Sequence, residues 1–285
     1  MRVALVGSSG YIAGFLLNRF VEDPDIEDVL KIDQTEDADE FLNLQTPENF
    51  NYSVLEDIDY IVFTAAISGP DKCASDFEFC WSINVIGTKY FIKKAIEKHC
   101  RVLFFSSDAV FGDIPGMIYD EESITAASTP YGRMKKDIED EFKESPYFHA
   151  IRLSYVASAK DRFITYCLGC VEKNETADIF HPFYRNCIVV SDVVDVVMWF
   201  AKHFDDYKPF ALNVAGNELV SRVRIADELN RVIGGKLKYT VSMPGSDFFT
   251  NRPRITQMRS LYMREYGILL DNTFTEKIQK ELKEI

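Results

Sequence analysis

Basic side chains are scarce in this sequence. Its 285 residues contain 32 Lys and Arg against 45 Asp and Glu, which gives a formal net charge of -13 and a pI of about 4.9. A protein that binds the phosphate backbone of nucleic acid needs a positively charged face. We therefore expect no nucleic-acid partner. A local cationic site for a small anion is still compatible with this balance, because net charge describes the whole surface.

Long apolar runs are also missing. The most apolar stretches are residues 102–105, which are too few, and residues 188–201, which include Asp192 and Asp195. A membrane-spanning helix needs about 20 apolar residues, so we expect no association with a membrane. The glycine-rich segment begins at Gly7, directly after the first short apolar run. That start leaves no room for a signal peptide, and we expect a cytoplasmic protein.

Cysteines are few and widely spaced, which is unlike the dense pattern of a disulfide-rich secreted protein. We therefore expect reduced thiols. Cys167 and Cys170 form a C-x-x-C pair, but no second pair or histidine stands at zinc-ligand spacing. Two residues three positions apart on an amphipathic helix explain the pair more simply. We predict no metal site.

Short runs rich in Val, Ile, Leu and Phe alternate with longer amphipathic segments. The predicted buried strands are residues 2–6, 29–33, 60–64, 102–106 and 149–153. The predicted helices between them include residues 10–21, 79–98 and 131–143. This alternation predicts an α/β fold with a Rossmann-type, doubly wound parallel sheet covered by helices on both faces. Ligands of such sheets bind beyond the carboxyl ends of the strands.

A glycine-rich turn follows the first strand, with the sequence Gly7-Ser8-Ser9-Gly10-Tyr11-Ile12-Ala13. Gly7 permits the tight turn, Gly10 lets a phosphate approach the backbone, and the small Ala13 allows close packing of helix on strand. Backbone amides at the start of the helix can then hold a pyrophosphate. The alternative is a glycine-rich connection that binds nothing.

The second strand ends at Asp33, twenty-three residues after Gly10. A carboxylate at this point can accept hydrogen bonds from the adenosine ribose hydroxyls and would repel a 2'-phosphate. This predicts NAD(H) in preference to NADP(H) as the cofactor. The alternative is an ordinary turn residue, since an acidic stretch follows over residues 36–40.

Tyr131 and Lys135 stand four residues apart, on one face of a predicted helix. An ammonium near a phenol, together with a positive nicotinamide ring, lowers the tyrosine pKa from its ordinary value of about 10 toward neutral pH, which suits a general acid/base. The strand over residues 102–106 runs into Ser106, Ser107 and Asp108. Hydroxyls are therefore expected at the same edge of the sheet as the glycine turn.

Several ordered segments now resemble one family. They are GSSGYIA at 7–13, DYIVFTAA at 59–66, NVIGT at 84–88, RVLFFSSDAVFGD at 101–113 and TPYGRMK at 129–135. The sequence resembles the extended short-chain dehydrogenase/reductases, the NAD-dependent epimerase/dehydratase family that acts on nucleotide-sugars. RNCIVVSDVVD at 185–195 is similar to the family's segment that closes the substrate lobe. The expected organisation is a NAD-binding domain over 1–153, completed by segments near 187–214, and a smaller, partly interwoven substrate-binding lobe over 154–285.

The resemblance implies roles for individual residues. Ser107 would hydrogen-bond the reacting sugar oxygen, Tyr131 would exchange its proton, and Lys135 would hold the nicotinamide ribose. Arg185 and Arg252 match arginines that grip the substrate diphosphate, and solvated surface charge is the alternative for both. The remaining implied cofactor contacts are Gly7, Gly10, Tyr11 and Ile12 at the pyrophosphate, Ala65 and Ala66 along the cofactor, and Asn84 near it.

The resemblance is less informative about the reaction. Family members that dehydrate a sugar use an Asp-Glu pair, where this sequence has Asp108-Ala109, so a 4,6-dehydratase is not expected. The segment SSDAVFGD and the short chain favour the branch of dTDP-4-dehydrorhamnose reductase and related 4-keto-sugar reductases of carbohydrate biosynthesis. We expect hydride transfer from NADH to the keto group of a nucleotide-diphospho-sugar. The alternatives are a 4-epimerase with tightly bound NAD and a non-catalytic NAD-binding regulatory protein.

Family members are often dimers. Their contact is made by the helices that correspond to residues 79–98 and 131–143 of this sequence. A homodimer is therefore implied here by the resemblance alone.

Overall fold

The computed structural model describes residues 1–271 and 273–284. Its strands are β1 Arg2–Val6, β2 Asp28–Asp33, β3 Glu40–Phe41, β4 Tyr60–Phe63, β5 Arg101–Ser107, β6 Ile118–Tyr119, β7 Phe148–Leu153, β8 Val156–Ala157, β9 Ala177–Phe180, β10 Tyr184–Arg185, β11 Ile188–Val189, β12 Ala211–Val214, β13 Val220–Ser221, β14 Tyr239–Ser242 and β15 Ile255–Met258. Its α-helices are α1 Tyr11–Glu22, α2 Pro70–Ser75, α3 Phe77–Trp81, α4 Thr88–Glu97, α5 Pro130–Phe142, α6 Arg162–Glu172, α7 Val190–His203, α8 Arg222–Val232 and α9 Phe274–Glu281.

The largest sheet has the strand order β12-β7-β5-β4-β1-β2-β3 within the described residues. Parallel pairs join β3, β2, β1, β4 and β5 in turn. Val3 to Val6 are almost completely buried, as expected for a central strand covered on both faces. The order reverses between β1 and β4, with β2 on one side of β1 and β4 on the other. The prediction of a Rossmann-type, mostly parallel sheet is confirmed.

The chain divides into two compact units. The first unit contains residues 1–112, 124–152 and 194–212, and most of the large sheet lies in it. The second unit contains residues 113–123, 153–193 and 213–285. Within the described part of the second unit, short strands form a sheet of order β13-β10-β15-β6 and the pairs β11-β8 and β14-β9. Each unit has its own buried apolar cluster.

The predicted single helix over residues 79–98 is divided in the structure. A π-helical segment, Ser82–Gly87, stands between α3 and α4. At Gly87 the backbone runs so close to a neighbouring loop that a Cβ would lie 1.8 Å from the carbonyl oxygen of Leu44. π-helical turns of this kind are rare and occur often at functional sites.

The simpler explanation of the C-x-x-C pair, two positions on one helix, agrees with the structure. Cys167 and Cys170 both lie on α6 and face the apolar cluster of the second unit, where they are free thiols. Strand β11 contains two residues, because Val190 already begins α7. Among the described residues, no helix has the length and apolar character needed to cross a membrane, and no group of three or more His, Cys, Asp or Glu could hold a metal ion.

Candidate active site

The glycine turn after β1 is built around Gly7. Its φ of +85° lies in the left-handed region, and a Cβ there would stand 2.6 Å from the backbone nitrogen of Ala65. The Gly10 amide donates to the Gly7 carbonyl at 3.0 Å, which closes the turn. Gly10 gives α1 no side-chain cap. The amides that open α1 are therefore not covered by a capping side chain, which is the arrangement that anion-binding helix termini share.

A cavity of about 440 Å³ opens beside this turn. Its size falls within the usual range for small-molecule sites. Five of the predicted cofactor residues line it: Gly7, Gly10, Asp33, Ala65 and Ala66. Polar residues that sequence reasoning did not single out line it as well, among them Gln34, Asn43 and Gln45. They follow β2 in a segment without periodicity, so their position after the second strand was the only signal available.

Asp33 is tied to the glycine turn by Ser9, another residue that the sequence analysis did not assign. The Ser9 backbone amide and hydroxyl both donate to Asp33 Oδ2 at 2.8 Å, and the Gln34 amide donates to Oδ1 at 2.7 Å. A carboxylate oxygen has more than one acceptor direction. Asp33 is thus oriented at the end of β2 by its neighbours and keeps acceptor capacity toward the cavity.

Asn84 holds the loop after β4 by hydrogen bonds to its backbone. The buried carboxamide accepts from the Ile67 amide at 2.8 Å and donates to the Ile67 carbonyl at 2.9 Å. Ile67 itself lines the cavity. The π-helical segment therefore fixes the loop that carries Ala65 and Ala66. Tyr11 and Ile12 occupy the first two positions of α1.

Lys135 joins α5 to the carboxyl end of β5. Its side chain is 3% exposed, and its Nζ donates to the Phe105 carbonyl at 2.7 Å. The same Nζ lies 4.4 Å from the centre of the Phe104 ring and 5.8 Å from that of Tyr131. The predicted dyad is therefore formed on one face of the helix. Thr129 caps this helix by accepting from the Gly132 amide at 3.2 Å.

Ser107 is the last residue of β5. Its Oγ accepts from the Ala109 amide at 3.2 Å and donates to Asp108 Oδ1 at 3.1 Å. The first turn of α5 packs closely against this segment, since a Cβ on Gly132 would stand 2.1 Å from the Ala109 carbonyl oxygen. The structure thus brings Ser107, Tyr131 and Lys135 to the same end of β5.

The titration of the dyad differs from the prediction. Burial, with Cys73 and Asp108 nearby, raises the pKa of Tyr131 instead of lowering it. Burial also lowers the pKa of Lys135 to about 7, against the opposing effect of Cys73 and Glu139. The predicted depression by the ammonium is outweighed because desolvation disfavours both charged forms. Tyr131 is consequently a protonated phenol at neutral pH.

A second set of hydrogen bonds lies one helical turn after Lys135, and it was not predicted from the sequence. The Ser106 hydroxyl donates to Glu139 Oε1 at 2.5 Å, and Arg152 donates to both Glu139 oxygens, with its Nη2 at 2.7 Å from Oε2. Glu139 and Arg152 are each 2% exposed. The only sequence signal was the position of Glu139, four residues after Lys135.

The two predicted diphosphate arginines lie in the second unit. Arg185 donates to the carbonyls of Tyr184 at 2.6 Å and Pro253 at 2.8 Å, and it lies 4.4 Å from the Phe183 ring. Arg252 donates to the Phe248 carbonyl at 3.2 Å and covers that residue's ring. Both guanidinium groups are thus held by backbone carbonyls and aromatic faces.

Arg222 is a further arginine of the second unit that the sequence analysis did not assign. Its guanidinium lies 4.7 Å from the Phe183 ring and 5.2 Å from the Phe163 ring. Burial lowers its pKa. Aromatic side chains of the same region pack against each other, since the Phe180 and Phe183 rings both contact Phe248.

The structure is thus an α/β fold with a glycine turn and a cavity after β1, and with Ser107, Tyr131 and Lys135 at the end of β5. The sequence profile of the NAD dependent epimerase/dehydratase family matches residues 3–215. The chain belongs to this family. The glycine cradle and the adjoining cavity fit a dinucleotide, and the prediction of a nicotinamide cofactor is confirmed at the level of the family.

Three similar proteins illustrate the range of the family. The chain is 24% identical to a human dTDP-D-glucose 4,6-dehydratase, over 88% of this chain and 79% of that protein. The structure superposes with a TM-score of 0.82 on a dTDP-4-dehydrorhamnose reductase from Bacillus anthracis in complex with NADP, at 19% identity, covering 99% of both chains. It superposes equally well, with a TM-score of 0.82, on a UDP-glucose-4-epimerase from Stenotrophomonas maltophila with bound NAD and formylated UDP-arabinopyranose, at 15% identity, covering 100% of this chain and 97% of that one.

Proposed function

We propose that this protein is a NAD(H)-dependent reductase that converts a keto group of a nucleotide-diphospho-sugar to an alcohol. The observation that carries the proposal is the meeting of Ser107, Tyr131 and Lys135 at the end of β5, with Tyr131 held in its protonated form. A protonated phenol is the form that a ketone reduction needs, because the reduced oxygen must receive a proton.

NADH, when bound, supplies the hydride for the carbonyl carbon. The Ser107 hydroxyl donates a hydrogen bond to the carbonyl oxygen and so stabilises the negative charge that develops there. Tyr131 donates its O–H proton to that oxygen, which completes the alcohol. Lys135 stabilises the phenolate that remains, and the phenolate then regains a proton from solvent.

The cofactor proposal rests on Asp33. Its carboxylate faces the cavity at the end of β2, oriented by Ser9 and Gln34. A fixed negative charge beside the adenosine ribose disfavours the 2'-phosphate of NADP(H). We therefore propose NADH as the reductant, although the reductase from Bacillus anthracis was crystallised with NADP.

The substrate proposal rests on the second unit. We propose that residues 154–285 supply most of the substrate contacts, with Arg185 and Arg252 binding the diphosphate. Guanidinium groups suit this ligand because they offer forked donors. The absence of a second carboxylate at Ala109, in the sequence Asp108-Ala109, argues against the dehydration that the human relative's name describes.

The test is the Tyr131→Phe variant, assayed with dTDP-4-dehydrorhamnose and either NADH or NADPH by the loss of reduced nicotinamide. We expect turnover to fall by about 100-fold or more, because general acid catalysis is typically worth that much. NADH affinity should stay within about threefold of the parent, and NADH should be preferred to NADPH. Tyr147→Phe, at a half-buried tyrosine that contacts His99, serves as the matched control and should behave like the parent.

Full turnover by Tyr131→Phe would overturn the assignment. A 4-epimerase would give a different result, since it oxidises and then reduces the same sugar: the purified protein would contain stoichiometric NAD and would interconvert UDP-glucose without net loss of NADH. The epimerase from Stenotrophomonas maltophila shares the fold and keeps that candidate open. A regulatory protein would turn over no nucleotide-sugar at all while still binding NADH.

We also propose a homodimer in the cytoplasm. Ile86 in the π-helical segment is 59% exposed, and Tyr90 on α4 is exposed as well. Apolar side chains on a helical surface are favoured at protein interfaces. Sedimentation analysis of the protein, which yields its mass in solution, tests this part independently of activity.

A further inference from the structure

The buried ion pair behind Lys135 has no assigned role. Arg152 on β7 donates to the Glu139 carboxylate through Nε, at 3.1 Å to each oxygen, and through Nη2 at 2.7 Å. The rings of Phe111 and Phe210 lie 5.0 and 5.4 Å from the Arg152 guanidinium. Desolvating two charges in this way contributes little to stability compared with apolar side chains of the same volume. Stability alone therefore does not explain the pair.

Its position relative to the dyad is specific. Glu139 follows Lys135 by one helical turn on α5 and receives the Ser106 hydroxyl at 2.5 Å. Lys135 donates to the Phe105 carbonyl. Two consecutive residues of β5 are thus bonded to two successive turns of α5, and the next residue of the strand is Ser107. This pair of bonds fixes the distance between the Ser107 backbone and the helix that carries Tyr131.

The charges around Lys135 are few. Glu139 and Tyr131 are on its own helix and Cys73 is on α2, while β5 offers the Phe104 ring and the Phe105 carbonyl. Asp108 follows β5 and raises the pKa of Tyr131, and Arg152 is ion-paired with Glu139. Of the carboxylates on the helix, Glu139 is the one whose charge raises the pKa of Lys135, and it thereby favours the ammonium form.

We propose that Glu139, held by Arg152 and Ser106, is a positioning residue that sets Ser107 against the dyad and favours the ammonium form of Lys135. This inference rests on the proposed function, because it assumes that Ser107, Tyr131 and Lys135 carry the reaction. Glu139 touches neither substrate nor cofactor in this assignment. Its effect passes through Lys135 and through the end of β5.

The main test is the double variant Glu139→Gln/Arg152→Met, which removes both charges together and so avoids leaving one charge buried alone. Turnover of dTDP-4-dehydrorhamnose and NADH binding are each measured from pH 5.5 to 9. Because the ammonium loses the favourable effect of the Glu139 charge, the alkaline limb of both profiles should move to lower pH by about one unit, which is a tenfold change in the charged fraction of Lys135. NADH affinity at pH 6 should stay within about threefold of the parent.

Ser106→Ala separates positioning from charge. It removes the hydroxyl bond but leaves the ion pair, so turnover should fall by about threefold to tenfold with no movement of the pH limb. Glu228→Gln is the control, since Glu228 is also fully buried and ion-paired, with Arg224 and Arg231 on α8. Its pH profiles should match those of the parent.

If the alkaline limbs of turnover and of NADH binding both stay unshifted in the double variant, Glu139 does not influence the charge of Lys135. Unchanged turnover in Ser106→Ala would overturn the positioning role. If the double variant does not fold, Ser106→Ala still decides the positioning role, and Glu139→Leu/Arg152→Leu, which also leaves no charge buried alone, replaces it in the test of the charge role. Failure of the proposed function is recognised separately, because Tyr131→Phe would then retain full turnover. The NADH profile remains informative if dTDP-4-dehydrorhamnose is not the substrate.

Discussion

At the scale of single residues, the candidate site depends on how burial changes ionisation. The spacing of Tyr131 and Lys135 indicated the dyad, but spacing alone gave the wrong direction for the tyrosine pKa. Desolvation raises the pKa of Tyr131 and lowers that of Lys135 to about 7. The depth of burial depends on how Phe104 and the end of β5 cover the ammonium, which is a tertiary property. Sequence therefore predicted the partners but not their charge states.

The depressed pKa of Lys135 has a measurable consequence for stability. Unfolded lysine titrates near its ordinary value of 10.5, whereas the folded pKa is about 7. Between these two values the unfolded chain binds a proton that the folded chain does not, so rising pH favours the folded state. We expect the stability of the parent relative to Lys135→Met, measured by urea unfolding without nucleotide, to increase from pH 7 to pH 9.

Lys93→Met is the matched control, at an exposed lysine on α4. Its stability difference from the parent should be the same at both pH values. A difference for Lys135→Met that stays constant or shrinks with rising pH would show that Lys135 keeps its ordinary titration in the folded protein.

At the scale of elements, the sequence predicted those strands and helices whose apolar residues follow a clear local pattern. The bounds of β1 agree with the predicted residues 2–6, where an unbroken apolar run follows Arg2. The two-residue strands β6, β10 and β13 are too short to show a period, and their pairing depends on segments far apart in the chain. The π-helical break at Ser82–Gly87 ends where the Gly87 backbone approaches Leu44, which is a tertiary contact that no local pattern encodes.

The packing of α5 on the end of β5 gives an element-scale prediction. In Gly132→Ala, the new Cβ would stand 2.1 Å from the Ala109 carbonyl oxygen, so the first turn of α5 must move away from Ser107. Because misplacement by about 1 Å can cost about 100-fold in rate, we expect at least a tenfold loss of turnover. The overpacking should also cost about 1–3 kcal/mol of stability in urea unfolding.

Gly169→Ala provides the comparison. Gly169 lies within α6 and has nothing within 4 Å of its would-be Cβ. Alanine favours a helix over glycine, so this variant should gain about 0.5–1 kcal/mol and keep parental turnover. Equal behaviour of the two variants would mean that the contact between α5 and residue 109 is not rigid enough to position the dyad.

At the scale of the whole molecule, the chain path determines how the two units can unfold. The chain passes from one unit to the other after residues 112, 123, 152, 193 and 212, so neither unit is a continuous segment. Strand β12, which is late in the sequence, completes the edge of the large sheet beside β7. The first unit therefore needs residues beyond 193 before its sheet is complete. We expect a fragment of residues 1–153 not to fold, in keeping with the prediction that segments near 187–214 complete this domain.

The same path predicts a single cooperative transition for the intact protein. Both tryptophans, Trp81 and Trp199, belong to the first unit, so tryptophan fluorescence reports on that unit whereas far-ultraviolet circular dichroism reports on both. Coincident transitions are the standard sign of two-state unfolding. We expect the two urea curves to coincide, and saturating NADH to move both midpoints upward together, because a ligand stabilises every part that must be folded to bind it. The contrary result is a fluorescence midpoint that shifts with NADH while part of the dichroism change keeps its original midpoint. It would show that the second unit unfolds independently despite the shared chain path.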